Sequence, residues 1–410
     1  MGTKMPSLVS AFAGLPSQAK RLVAMRFLIY TGFQSTYFIG IIGTLTYSAG
    51  ADVVSASLAV ALMSAATIFG AFAGGTMLDA MGPRKQFFAT VLITMVAGTL
   101  MALSDGSTSV LLIGAAAIGF CIGMAQLLTT SYPAYLSADK EELQRINSTI
   151  TTANNISVIV GPIAGGAIAT LFSSLGVFPF MAACAVASAV VGLGFHPLRA
   201  PRPDNEGGRD GEGAAGTSTF LQSVKTVFAG GVLALLFWVL FLSNLGYAAL
   251  DPLESFFYRD VLHVGVEWMG WLSAASGAGA VVGALAVMRL PADRVNVRSL
   301  LVALALMGAG CIVYVGTPYV AVAFVGQIAL GIAYGAIGPL QSTIVQTSAP
   351  LHQLGRVNSV MSFGNMVSGV VPLAIAPWLA LHIGVQMTLV SAAVVVTVVP
   401  LLLLAVVRRR

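Results

Sequence analysis

The chain is a succession of long apolar runs, each close to the length a helix needs to cross a bilayer, separated by Gly, Pro, Asp or clustered charge. Cutting at those interruptions predicts twelve helical spans: 24–47, 54–78, 86–104, 109–136, 146–171, 176–197, 230–257, 267–289, 297–316, 319–347, 356–380 and 384–407. The expected fold is all-α and membrane-embedded. One polar segment interrupts the series: residues 199–229, Gly-rich and mixed in charge, read as a flexible linker between two halves of six spans, 1–198 and 230–410. The first twenty residues are mixed and polar with no apolar core before a cleavage site, so the first span is expected to remain in the mature protein.

Composition excludes a soluble alternative. Of 410 residues, 57% are hydrophobic, against 20 basic and 15 acidic ones, where a soluble chain of this length carries roughly 100 charges. Mean hydropathy is +0.90. Secreted soluble, nuclear and nucleic-acid-binding classes fall with that inventory. The net charge of +5 needs no polyanionic partner either. With both termini in the cytoplasm, every Lys and Arg except Arg26 and Arg259 falls in the tails, the linker or the cytoplasmic loops. That asymmetry predicts a multi-pass protein of the inner or plasma membrane, here expected to be a monomer. The external loops are too short to house a soluble active site.

The halves repeat at a shift of about 210 residues. Met63, Thr67, Gly70 and Gly74 answer to Leu272, Ser276, Gly279 and Gly283; Gly119 and Gly123 answer to Gly331 and Gly335. Leu143, Arg145, Asn147, Ser148, Asn154 and Ser157 reappear as Leu354, Arg356, Asn358, Ser359, Asn365 and Ser368. Two six-helix pseudo-repeats joined by a cytoplasmic loop place a substrate site at the midplane between them.

After the second span come Gly75, Asp79, Gly82, Arg84 and Lys85, and the fifth span contains Gly161, Pro162, Gly165 and Gly166. The first set resembles the cytoplasmic loop signature of the major facilitator superfamily; the second resembles a helix element of its proton-coupled drug exporters. The resemblance implies a secondary active transporter working by alternating access, exporting small amphipathic molecules in exchange for protons. The pattern departs at Ala80, Pro83 and Ser157, and Ala115 stands about where many such exporters carry an arginine. A facilitator or importer of a polar metabolite is therefore the alternative, and a membrane sensor that binds without transporting is a third.

Candidate chemistry is sparse. Asp79, with Arg84 and Lys85 one Gly82 turn away, is a candidate inner gate, its charge set against basic groups or a helix end; a solvated loop charge is the other reading. Gly161, Pro162, Gly165 and Gly166 allow close packing and a bend, and serve either as a gating seam or as plain packing. Asp251 and Glu254 are the acids inside an apolar run, at i, i+3 spacing on one face; they are candidates to carry a proton or meet a cation, or belong to an interfacial cluster with Arg259 and Asp260. Arg26 is a further charge candidate, unless it snorkels to the inner interface. Tyr30, Gln34, Tyr37, Gln126, Asn154, Asn244, Tyr247, Gln327, Tyr334, Gln341 and Asn365 are candidates to line a substrate cavity, the alternative being helix-to-helix bonding. Cys121, Cys184 and Cys311 lie in apolar runs and read as small hydrophobes; the four histidines are isolated. No metal-ligand spacing or phosphate-cradling loop is present, so neither an enzyme, a cofactor nor a metal is expected.

Overall fold

The computed structural model describes residues 12, 14–137, 139–198, 224–225, 227–228, 231–348 and 354–407. Most of the 199–229 linker and the terminal Arg408 to Arg410 lie outside them. Among the described residues there is no strand.

Helix α1, Ser17–Ser35, runs on as a π-helix, Thr36–Ser48. One 50-residue stretch, Val53–Ala102, is two helices, α2 (53–81) and α3 (83–102), broken at Gly82. Gly82 takes φ 80°, a left-handed turn that glycine adopts without a Cβ penalty, and Pro83 then starts the next helix. There follow α4, Thr108–Ala125, α5, Lys140–Phe172, and α6, Val177–Leu193. Helix α7 comes in two pieces, Gly231–Tyr247 and Leu250–Asp260. Its break falls at Ala248 and Ala249 because Pro252 offers no N–H to the Ala248 carbonyl and its ring crowds it. The rest are α8, Glu267–Met288, α9, Val297–Val315, α10, Val320–Ser348, α11, Leu354–Ile383, and α12, Val385–Val407.

Ten helices among the described residues are long and apolar enough to cross a membrane. One of them is the α2 and α3 pair, and α1 with its π continuation is not among the ten, which makes twelve spans. Side chains start several of them. Asp52 accepts from the Ser55 amide at 2.9 Å, Asp139 from the Glu142 amide at 3.0 Å and Asn296 from the Ser299 amide at 3.1 Å, each satisfying an N–H the helix leaves orphaned.

Contacts divide the chain into two units, Met1–Pro203 with Gly265–Trp271, and Asp204–Val264 with Leu272–Arg410. In the first, α1 packs on α5 and α6, and α4 packs on the α2 and α3 pair. In the second, α9 packs on α10 and α12, and α7 on α11 and α12. Lipid tails are as apolar as leucine, so close backbone approach between small residues holds such helices together. A Cβ on Gly70 would strike the Phe120 carbonyl, and one on Gly123 the Thr67 carbonyl. In the second unit the same seam sets Gly279 against the Ile328 carbonyl and Gly331 against that of Ser276.

These contacts correct the repeat register. Since Gly70 answers to Gly279 and Thr67 to Ser276, the spatial counterpart of Gly123 is Gly331, and that of Phe120 is Ile328. Sequence matching alone pairs Gly123 with Gly335, one helical turn away. Glycines four apart on both helices fit either register, and backbone contact decides between them.

Candidate functional site

Two polar clusters lie inside the spans, one in each unit. In the first, Arg26 of α1 is only 2% exposed. One terminal nitrogen donates to the Ala125 carbonyl at 2.9 Å, the other to Asn154 Oδ1 of α5 at 2.9 Å, and the guanidinium carbon lies 3.2 Å from the centre of the Tyr30 ring. Ala125 is the last residue of α4, so the buried cation sits at the negative end of a helix as well as on a ring face. The Tyr30 hydroxyl donates to Gln126 Oε1 at 3.3 Å. Among the described residues, buried Arg26 Nε has no hydrogen-bond partner. Snorkelling to the interface is thereby corrected: the side chain turns inward, because α4 and α5 offer acceptors at that depth.

In the second unit Glu254 is half-buried. The Tyr314 hydroxyl of α9 donates to its Oε1 at 2.5 Å, Gln327 Nε2 of α10 donates to the same oxygen at 3.0 Å, and the Tyr258 hydroxyl lies 2.6 Å from that of Tyr314. Both donors to Glu254 are neutral, and so is Tyr258 beside them. Tyr258 stands one turn after Glu254, the i, i+4 spacing that makes helix neighbours. Tyr247 stacks on Tyr334 with ring centres 5.7 Å apart. Asp251 is exposed one turn earlier, while Arg259 pairs with Asp260 at 2.6 Å.

Small residues set the depth of both clusters. Ser35 donates to the Gly161 carbonyl at 2.6 Å and Ser157 to the Phe27 carbonyl at 3.1 Å, binding α1 to α5. A Cβ on Gly161 would meet Gln34 of α1, and one on Gly165 would meet Ile39 of its π-helical continuation. Pro162 and Gly166 are buried in the same stretch. The matching seam between α7 and α11 uses a different donor: Asn244 Nδ2 reaches Ser368 Oγ at 2.8 Å and the Asn365 carbonyl at 3.1 Å. Asn244 thus bonds helix to helix; Gln34, Tyr37 and Gln341 are half-buried and Asn365 is exposed.

At the turn after α2, Asp79, Arg84 and Lys85 are exposed, and Asp79 forms no ion pair among the described residues. Arg84 donates to the Leu193 carbonyl at 3.1 Å. Burial, and then the Asp79 charge, raise the Tyr135 hydroxyl above its ordinary value. Gly75 has open space where a Cβ would go. Sequence reading missed Tyr258 and Tyr314, whose only signal was a hydroxyl at helical spacing or inside an apolar run.

Twelve spans in two units with a repeated glycine seam, and sparse polar clusters inside them, define a helical membrane carrier. A family model described as Major Facilitator Superfamily matches residues 22–371 and 236–410, and the chain belongs to that family. It is a multi-pass membrane transporter of small molecules, not an enzyme. The chain is 26% identical over 345 residues to the multidrug efflux pump Tap of Mycobacterium tuberculosis, covering 80% of this chain and 78% of that one. A probable metabolite transport protein of Bacillus subtilis, CsbC, is 26% identical over 180 residues, 39% and 38% of the two chains. Among solved structures, the nucleoside transporter NupG has TM-score 0.72 at 12% identity, covering 95% of this chain and 99% of that one.

Proposed function

We propose that this chain is a secondary active exporter of small amphipathic molecules, coupled to proton entry by alternating access in the plasma membrane, with both termini cytoplasmic. The observation that carries this reading is Glu254, a carboxylate within a membrane helix held by two neutral donors, Tyr314 and Gln327. Intramembrane acids are costly and lie where charge or protons move. Neutral donors leave the group free to change its charge, whereas a salt-bridged acid is fixed by its partner. The likeness to Tap supports a drug-like cargo. Asp251 serves the same path from the exposed turn before it. Tyr247, Tyr334, Gln327, Tyr30, Gln126 and Asn154 contribute to substrate recognition within their own units, and Asp79 with Arg84 and Lys85 forms the inner gate.

Purified carrier in proteoliposomes, with a fluorescent amphipathic cation as probe, tests the coupling. An inward-directed proton gradient should drive probe against its own gradient. Flux that ignores the proton gradient would favour a facilitator of a polar metabolite, the reading supported by the polar Arg26, Asn154 and Gln126 cluster.

A further inference from the structure

We propose that the second unit holds an anionic phospholipid, with an acyl chain in a groove between α8, α9 and α10 and the phosphate on Arg294 and Arg298. The groove is open along one side and has a volume of about 500 Å³. Its long walls are apolar: Gly283 and Ala286 of α8, Val302 and Leu306 of α9, and Ile332 and Ala336 of α10. Val302, Leu306 and Ile332 are exposed, so the groove opens onto the surface that faces lipid.

Its other end is polar. Arg294, Asn296, Arg298 and Ser299 close it where the apolar part of α8 stops and α9 begins, at the level of headgroups. In the orientation predicted by the charge asymmetry this is the inner leaflet, where anionic lipids attract basic clusters. The connection carries Arg289, Arg294 and Arg298 against Asp293, three cations minus one anion, or +2.

The polar side chains beside the arginines are already occupied. Asn296 donates to the Asp293 carbonyl at 3.1 Å and accepts from the Ser299 amide, while the Ser299 hydroxyl donates to the Arg294 carbonyl. That fixes the backbone. The two exposed guanidiniums form no ion pair among the described residues, and their planar forks suit a phosphate. A soluble anion would use the arginines and waste the groove; a neutral lipid would do the reverse. An anionic phospholipid uses both.

The test is native mass spectrometry of the full-length carrier titrated with dioleoyl phosphatidylglycerol, dioleoyl phosphatidylcholine and glycerol 3-phosphate. Phosphatidylglycerol should bind about tenfold more tightly than phosphatidylcholine, on the order of what charge-assisted hydrogen bonds supply. Arg294→Gln with Arg298→Gln should remove that preference and the Lys pair largely keep it, which separates charge from folding. Ala286→Trp should fill the groove and weaken both lipids. Unchanged phosphatidylglycerol binding in the Gln pair and in Ala286→Trp overturns the proposal. So does glycerol 3-phosphate binding as tightly as the intact lipid.

Discussion

The two units share a seam and differ in what they bury. The first holds a cation, Arg26, answered by the α4 terminal carbonyl, an amide oxygen and a ring face. The second holds a carboxylate, Glu254, answered by a phenol and an amide. Among the described residues neither forms an ion pair. An arginine keeps its charge at every working pH, whereas a carboxyl can lose or gain a proton. The two units thus present one scaffold twice with different chemistry: a fixed charge in the first and, on the proposed function, a variable one in the second.

The largest effect should come from the shared part. Gly123→Leu and Gly331→Leu each drive a side chain into a facing carbonyl, and overpacking at backbone contact leaves no rotamer to relieve it. Both should fail to give a monodisperse peak in size-exclusion chromatography, while Gly75→Ala, which meets nothing, elutes as the parent does. Tolerance of Gly331→Leu alone would break the equivalence of the seams.

Next in size is the fixed charge. Arg26→Met leaves half-buried Asn154 and the buried Ala125 carbonyl without this donor, at a cost of about 1–3 kcal/mol for the buried carbonyl. Probe flux should fall at least about tenfold at every pH, with the shape of the pH profile unchanged. A changed shape would mean that the first unit also takes part in proton coupling. Tyr314→Phe removes one of the two donors to Glu254 and should slow proton-driven flux by about tenfold. Flux down the probe's own gradient should change less. Equal loss in both modes would place Tyr314 in folding rather than coupling.

The smallest effect lies outside the membrane. Hydrogen bonds from the Ser55 hydroxyl and amide hold Asp52 below the ordinary carboxylate range. Its folded value is depressed, so the cap's contribution is present above about pH 4 and fades as pH falls through the lowered value. Asp52→Ala should cost about 1 kcal/mol at neutral pH, and Asp52→Asn should keep the cap while losing the pH dependence, both read from thermal unfolding.

The spans were legible because run length and hydropathy are one-dimensional. Most boundaries fall within a few residues of those predicted, and α1 begins earlier, at Ser17, because its first turns are polar and carry no hydropathy signal. The break in α7 was not predicted, although Pro252, which causes it, stands in plain sight. What the sequence hides is the direction a side chain takes around its helix. Arg26 counted from the helix end looks interfacial, and only α4 and α5 turn it inward. Likewise Gly119 looks like the counterpart of Gly331 in sequence, whereas in the seam register its counterpart is Gln327, so the second unit carries a hydrogen-bond donor to Glu254 at the turn where the first carries a packing glycine. The candidate site was legible as residue types and not as partnerships: Glu254 stood out as an acid in an apolar run, and its tyrosines did not.

The central claim is that the variable charge is Glu254. Infrared difference spectroscopy of the reconstituted carrier, stepped between acid and alkaline buffer, reads carboxyl protonation directly. The parent should show a protonated-carboxyl C=O band that appears on acidification, shifts in Tyr314→Phe because a hydrogen bond is lost, and is missing in Glu254→Gln. The same band persisting in Glu254→Gln would contradict the claim and assign the proton to another group.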